Sequence, residues 1–198
     1  MKEQKNILFI LGPAGSGKST QADLISEKLG YKHIVESNLL KEEVAKGTKL
    51  GLELKTQMQK GLLVPFEITC DILFNEIDKT KSTKIIVDGF PREINQAITL
   101  DYYIYKTKNK IQGLIYVDST KKECLKRLMK RKREDDTKNA ITKRLNIYYK
   151  ETLPVIKRFE NKGLLIKVNG NREIEPINKD IINKLKKSKH LWLQMIEL

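Results

Sequence analysis

A glycine-rich segment near the amino terminus has the residue types and the spacing of a phosphate cradle. It runs Gly-Pro-Ala-Gly-Ser-Gly-Lys-Ser over residues 12–19 and fits the pattern G-x-x-x-x-G-K-S/T. Glycines let successive backbone N–H groups turn toward one centre, and a following helix adds its positive amino-terminal end. The segment therefore predicts binding of a polyphosphate.

Three side chains of this cradle have expected contacts. Lys18 is expected to reach the β- and γ-phosphates, Ser19 to supply a hydroxyl at Mg²⁺, and Thr20 to add a phosphate contact. A glycine-rich turn without a ligand is the alternative, but the strand-like run before the segment and the helical pattern after it favour nucleotide binding. Such loops serve GTPases, ATPases, transporters and small-molecule kinases alike, so the reaction stays open.

A second motif, Asp-Gly-Phe-Pro-Arg over residues 88–92 followed by Gln96, comes directly after another apolar run. The guanidinium of Arg92 suits bidentate phosphate binding, and the amide of Gln96 offers both hydrogen-bond donors and an acceptor. Asp88 ends the apolar run, where a carboxylate can orient Mg²⁺ through its waters. The alternative is a strand-ending turn with Arg92 as a solvated charge.

Together the two motifs resemble the nucleoside monophosphate kinase family, and within it the adenylate kinases most. The resemblance implies reversible phosphoryl transfer from Mg-ATP to AMP, giving two ADP. It implies that Arg92 grips the acceptor's α-phosphate and that Gln96 reads the adenine edge, a position where pyrimidine relatives tend to have Asn.

The same resemblance extends to an acceptor-domain signature over residues 61–67, Gly-Leu-Leu-Val-Pro-Phe-Glu, which is similar to G-K-x-V-P-x-E. It implies that Val64 contributes backbone near the acceptor's base and that Met58 forms one wall of the base pocket. Leu62 stands where the family usually has Lys. Taken alone, such apolar residues are more often core than pocket.

A basic run in the second half of the chain is similar to the family's lid pattern R-L-x-x-R, R-x-D-D, K-R-L. The resemblance implies that Arg127 stacks on the ATP base, that Arg131 meets its phosphates, and that Arg133 and Arg144 neutralise the transferred group. The acidic pair 135–136 would hold the lid's charges. Phosphoryl transfer requires positioning, neutralisation and exclusion of water, which arginines on a closing lid can supply. A solvated basic helix face is the alternative.

Residues 35–41, Val-Glu-Ser-Asn-Leu-Leu-Lys, depart from the S-T-G-D-L-L-R that family members commonly carry. Glu36 replaces a Thr near the base, Asn38 replaces a carboxylate, and Lys41 replaces a phosphate-binding Arg. Lys keeps the charge but loses the bidentate fork. Glu36 could repel a phosphate or accept from a base amino group, so an acceptor other than AMP, such as CMP, UMP or GMP, is an alternative.

The apolar runs and helical patterns predict an α/β fold with a P-loop NTPase-type parallel sheet flanked by helices. One domain, 1–198, would carry a helical NMP-binding insertion at 36–80 and a short lid at 130–137, because the chain is too short for two ordinary domains. Strands are expected at 7–11, 32–35, 84–87, 113–117 and 164–168, and a terminal helix at 175–198.

Composition limits the remaining possibilities. The two cysteines lie far apart and the lid region lacks a four-cysteine cluster, so neither a disulfide nor a structural zinc is expected. No apolar run approaches the roughly 20 residues of a membrane span, and no secretory signal is evident, so a cytoplasmic monomer without membrane association is expected.

The changes at Glu36, Asn38 and Lys41 motivate a third hypothesis, a catalytically weak ATP-binding module that uses its net charge of +14 to engage RNA or a protein partner. Residues 121–144 hold eleven basic and four acidic side chains, a net of +7, so half of the excess is local. Nucleic acid is not the expected partner, because no RNA-binding motif or aromatic stacking platform is present. Tyr102, Tyr103 and Tyr105 are interpreted as helix-packing residues.

The predicted site has four groups of residues. Those expected to act in the transfer are Lys18, Arg92, Arg131, Arg133 and Arg144. Those expected to bind ATP are Gly12, Pro13, Ala14, Gly15, Ser16, Gly17, Lys18, Ser19, Thr20, Arg127 and Arg131. Those expected to bind the acceptor are Glu36, Ser37, Lys41, Met58, Val64, Gly89, Arg92, Gln96, Arg133 and Arg144. Ser19 and Asp88 are expected to hold Mg²⁺, largely through water.

Overall fold

A parallel sheet forms the centre of the protein. The computed structural model describes residues 3–60, 62–131 and 138–196, with backbone only for residues 131, 138 and 188–196. In these residues the sheet has five strands, in the order β2-β3-β1-β4-β5, and all neighbours are parallel. The strands are β1 Asn6–Leu11, β2 Lys32–Val35, β3 Lys84–Asp88, β4 Lys110–Asp118 and β5 Leu165–Asn169.

The helices flank this sheet, which confirms the predicted α/β class. The terminal helix runs over nearly the range expected for it, and no helix in the described residues is long and apolar enough to cross a membrane. The helices are α1 Lys18–Leu29, α2 Glu36–Ala45, α3 Lys49–Gln59, α4 Phe66–Lys79, α5 Ile94–Thr107, α6 Lys121–Arg131, α7 Lys138–Ile147, α8 Leu153–Asn161 and α9 Ile174–Ile196, with a π-helical turn at Tyr148–Thr152 before α8.

Strand β1 lies at the centre of the sheet because its side chains are apolar on both faces. Residues 7–11 are buried without exception, as expected of a parallel strand covered by helices on both sides. From β1 the chain continues to β2 and β3 on one side of β1 and then crosses to β4 on the other side, so the strand order reverses at β1. Ligands bind in the crevice at such a point.

Two apolar cores fill the space between sheet and helices. On one face, Leu73 of α4, Leu100 of α5 and Phe159 of α8 pack against β1 and β3. On the other face, α1 and α9 cover the sheet through residues such as Ile25 and Ile181. Both faces of the sheet are therefore rigidly supported beneath the crevice.

The 36–80 segment is helical, as its sequence predicts. Leu40, Leu54 and Val64 form a small core of their own between α2, α3 and the chain that follows. The inner face of α4 packs instead, through Leu73 and Ile77, into the main core, which is the core that α4, α5 and α8 form with the sheet. The interpretation of the whole segment as an acceptor-binding insertion stays a prediction, and residues 132–137 of the lid predicted at 130–137 lie outside the described residues.

Two details differ from the sequence interpretation. Strand β4 begins at Lys110, three residues before its expected start. Only Tyr103 of the three tyrosines packs, stacking on Phe74 with ring centroids 4.2 Å apart. Tyr102 and Tyr105 are 59% and 72% exposed, because their positions on α5 face away from the sheet. The prediction that all three tyrosines pack is therefore wrong for two of them.

A matched pair of leucines tests the assignment of the core. Leu73 is completely buried, whereas Leu52 of α3 is 58% exposed. Leu73→Ala is expected to lower the free energy of unfolding by about 2–5 kcal/mol, because it leaves a cavity in the main core. Leu52→Ala should change it by less than about 0.5 kcal/mol. Chemical denaturation measures both, and equal losses would contradict the assignment.

Candidate active site

A cleft of about 270 Å³ lies over the carboxyl edge of the sheet, where the strand order reverses. The phosphate loop forms one wall, and the start of α2, the turn after β3 and the π-helical turn form the others. All of the expected acceptor residues whose side chains are described line it, namely Glu36, Ser37, Lys41, Met58, Val64, Gly89, Arg92, Gln96 and Arg144. From the phosphate loop it is lined by Gly12, Ala14, Gly15, Lys18 and Ser19.

The phosphate loop bends through two glycines in the left-handed region. Gly15 and Gly17 have φ values of 86° and 87°, which are costly for other residues. A Cβ atom on Gly15 would lie 2.6 Å from the carbonyl oxygen of Cys124, so the loop packs directly on α6. Helix α1 begins immediately after Gly17, which provides no side-chain cap, and its first N–H groups suit an anion.

Ser19 and Asp88 meet below this loop as the expected magnesium residues. The hydroxyl of Ser19 donates a hydrogen bond to Oδ2 of Asp88. The Asp88 carboxylate is 2% exposed, and its Oδ1 atom is buried with no hydrogen-bond partner among the described residues. A hydroxyl beside a carboxylate with an unused oxygen fits a hydrated Mg²⁺, which prefers oxygen ligands and keeps several waters.

His33 on β2 adds a contact to Asp88 that the sequence analysis missed. Its Nε2 atom lies 3.8 Å from Oδ2 of Asp88, and its Nδ1 atom lies 2.8 Å from Oδ1 of Asp23. Burial acts to raise the pKa of Asp88, but His33, the charge of Lys18 and the hydrogen bond from Ser19 outweigh it and lower that pKa. The carboxylate is therefore ionised at neutral pH.

Arg92 is held on several sides. Its Nε group donates to the carbonyl oxygen of Gly89 at 2.6 Å, and its Nη2 group donates to Oε2 of Glu36 at 2.7 Å. The backbone amide of Arg92 donates to Oε1 of Gln96 at 2.7 Å, and the hydroxyl of Thr152 donates to the Arg92 carbonyl at 2.9 Å. The guanidinium therefore has a defined position at the cleft wall. Thr152, in the π-helical turn, was not among the predicted residues.

Glu36 is the first residue of α2 and is buried beside Arg92. Burial raises the pKa of its carboxyl group, Arg92 and Lys18 oppose that rise, and Asp88 adds to it. Glu36 was expected either to repel a phosphate or to accept a hydrogen bond from a base, and its ion pair with Arg92 was not predicted. No local signal could have revealed the pair, because the two residues are 56 positions apart in the chain.

The phosphate loop and Arg92 both lie in the part of the chain that matches a known protein family. A family model described as "Adenylate kinase" matches residues 10–164.

The chain belongs to the adenylate kinase family.

Curated relatives from distant organisms share this similarity over nearly their whole lengths. The chain is 38% identical over 177 residues to "Adenylate kinase isoenzyme 1" of Cyprinus carpio, covering 86% of this chain and 89% of the relative. It is 36% identical over 174 residues to "Adenylate kinase" of Prochlorococcus marinus (strain NATL2A), covering 88% and 94%. "Adenylate kinase" of Methanocella arvoryzae is 34% identical over 206 residues, covering 87% and 95%. The protein is therefore a phosphotransferase of the adenylate kinase family.

Arg127 connects three parts of this adenylate kinase fold. Its Nε group donates to Oε1 of Glu123 at 2.8 Å, and its Nη1 group donates to the carbonyl oxygens of Ser16 and Gly170 at 3.2 and 2.9 Å. Its Nη2 group donates to the carbonyl oxygen of Arg172 at 3.1 Å. A guanidinium can also stack on a base through its flat face. The predicted stacking role stays a prediction.

Several expected residues of the adenylate kinase site lie away from the cleft or outside the described residues. Pro13, Ser16, Gly17, Thr20 and Arg127 do not line the cleft itself. Only the backbone of Arg131 is described, and Arg133 and the acidic pair 135–136 lie outside the described residues, as does Gly61. Arg144 of α7 is the predicted transfer arginine that reaches the cleft from this part of the chain.

Two glycines with similar backbone geometry test the packing of the phosphate loop. Gly15 has no room for a Cβ atom, whereas Gly30, with a φ of 70°, has none of the described atoms within 4 Å of one. Gly30→Ala should cost about 1–2 kcal/mol from the left-handed conformation alone and should leave ATP affinity unchanged. Gly15→Ala should cost more and weaken ATP binding, because the loop must move away from α6.

Denaturation and calorimetric titration with ATP measure both effects. Equal destabilisation of the two variants, with equal ATP affinity, would show that the loop is not packed as described.

Proposed function

We propose that this phosphotransferase moves the γ-phosphoryl group of Mg-ATP reversibly onto AMP, giving two ADP. The observation that carries the proposal is a single cleft lined by Lys18 on the phosphate-loop side and by Arg92 and Gln96 on the other. A cation on each wall can hold the phosphates of one nucleotide. Phosphoryl transfer needs the phosphates of the two nucleotides in line.

On the donor side, the proposal gives the triphosphate to the backbone N–H groups of residues 12–17 and to Lys18. Ser19 and Asp88 would orient Mg²⁺, which when bound offsets the charge of the β- and γ-phosphates. The Arg127 face would receive the adenine ring. Support comes from the direct hydrogen bond of Ser19 to Asp88 and from the contact of Arg127 with the phosphate-loop carbonyl of Ser16.

On the acceptor side, Arg92 and Lys41 would bind the α-phosphate, and Gln96 would read the base. Val64 and Met58 would wall the base pocket, and both line the cleft. The amide of Gln96 is already oriented, because its oxygen accepts from the backbone of Arg92. An amide of fixed orientation distinguishes a base edge better than a freely rotating one, since no ordering cost is left at binding.

The chemical step would need no nucleophilic side chain. Its demands are an in-line approach of the acceptor oxygen and neutralisation of the charge on the transferred group. Lys18 and Arg144 supply positive charge from within the cleft, and the proposal adds Arg131 and Arg133 from the lid on the ground of sequence alone.

Another nucleoside monophosphate is the second candidate for the acceptor, and Glu36 is the observation that favours it. A buried carboxylate lines the cleft where the family usually has Thr, and a carboxylate can accept hydrogen bonds from a base. Coupled assays with AMP, CMP, UMP, GMP and their deoxy forms distinguish the candidates. AMP is expected to give the highest kcat/KM, and activity with a non-adenine acceptor alone would overturn that choice.

Two arginines of equal exposure give a controlled test of the acceptor site. Arg92 and Arg158 are both 36% exposed and both in an ion pair, but Arg158 pairs with Asp101 rather than lining the cleft. Arg92→Ala should lower kcat/KM for AMP by a factor on the order of 10³ and leave the KM for ATP nearly unchanged. Arg158→Ala should leave both near wild type.

Steady-state kinetics with each nucleotide varied in turn measure this separation. A loss that is as large for ATP as for AMP would contradict the assignment of Arg92 to the acceptor.

A further inference from the structure

The ion pair between Glu36 and Arg92 occupies the acceptor side of the cleft. The Oε2 atom of Glu36 lies 2.7 Å from Nη2 of Arg92, and the Glu36 side chain is only 6% exposed. The partner guanidinium is 36% exposed and lines the cleft. A ligand in the cleft can therefore reach the Arg92 guanidinium, whereas the Glu36 carboxylate that pairs with this guanidinium is almost fully buried.

Four charged groups act on one another at this place. Arg92 and Lys18 favour the ionised form of Glu36, and Asp88 disfavours it. Lys18 and Arg92 are also the two cations that the proposed function assigns to the two nucleotides. Its direct contact is with Arg92, so the carboxylate of Glu36 mainly neutralises the charge on the acceptor side, where a Thr of the family pattern would be neutral.

Contacts other than the Glu36 ion pair also hold Arg92. The carbonyl oxygen of Gly89 accepts from its Nε group, and Gln96 and Thr152 hold its backbone on either side. Since these contacts already orient the guanidinium, the ion pair adds competition for its Nη2 group.

We propose that Glu36 sets the affinity of the acceptor site, because its carboxylate occupies Arg92 in the free protein and must yield it to the acceptor's phosphate. The inference rests on the proposed function, since it takes Arg92 as the acceptor's phosphate ligand. It implies that the protein binds its acceptor more weakly than a neutral residue at position 36 would allow. Glu36 weakens the binding of the acceptor's phosphate. It does not weaken the binding of the acceptor's base or of the donor nucleotide.

Two variants of Glu36 test this inference by calorimetric titration without donor nucleotide. Glu36→Gln keeps an acceptor atom for Arg92, and Glu36→Thr restores the family's usual residue. Both should bind AMP about tenfold more tightly than wild type, which corresponds to ~1.4 kcal/mol. Adenosine, which lacks the phosphate, and ATP should bind as they do to wild type. Glu42→Gln, on the exposed side of the same helix, is the matched control and should change nothing.

A double variant locates the effect at Arg92. In an Arg92→Ala background, Glu36→Gln should no longer tighten AMP binding, because the competition for the guanidinium has been removed. Melting curves for each variant check whether the fold is kept. A gain that persists without Arg92 would overturn the inference.

The remaining outcomes separate this inference from the proposed function. Unchanged or weaker AMP binding by both Glu36 variants, in a protein whose wild type transfers a phosphoryl group to AMP, would overturn the inference alone. An equal gain for adenosine would also overturn it, because the residue would then act on the base. Failure of wild type and variants alike to bind AMP would contradict the proposed function and the inference with it.

Discussion

Parallel pairing of β2, β3 and β1 in one register determines where every element of the cleft lies. Val35 pairs with Asp88, and Asp88 pairs with Ile10, so the three strands end side by side. The backbone amide of Gly89 donates to the carbonyl oxygen of Ile10 at 3.2 Å, which fixes the turn after β3 against the phosphate loop. A shift of one residue in either pairing would turn the side chains of that strand to the opposite face.

This register also concentrates charge at one place. Glu36 follows β2, Asp88 ends β3, and Lys18 begins the helix after β1, so four ionisable groups including Arg92 meet in the cleft. Their burial is tolerable because each carboxylate has a cationic or hydrogen-bonding partner, as buried charges require. The rigid cores beneath the sheet keep the groups at these distances. Positioning of charge, which phosphoryl transfer mainly demands, is therefore built into the strand ends.

Features encoded by local sequence were predictable. The apolar runs of the strands and the helical pattern after the glycine-rich segment each depend on neighbours in the chain, and the strands and α1 form close to where they are expected. Which side of a helix a residue lies on was harder to predict, as the exposed residues Tyr102 and Tyr105 show. Contacts between distant segments could not be predicted at all. Glu36 with Arg92, His33 with Asp88 and Thr152 with Arg92 all depend on strand order and packing, which local patterns do not specify.

The central claim is that Lys18 and Arg92 face each other across a space for two nucleotides. Thermal unfolding with diadenosine pentaphosphate, which joins two adenosines through five phosphates, tests it most directly, because a ligand that binds only the folded state raises Tm in proportion to its affinity. The mimic is expected to raise Tm well above the value reached with ATP at the same concentration. A Tm that rises with ATP but stays unchanged with the mimic would contradict the account.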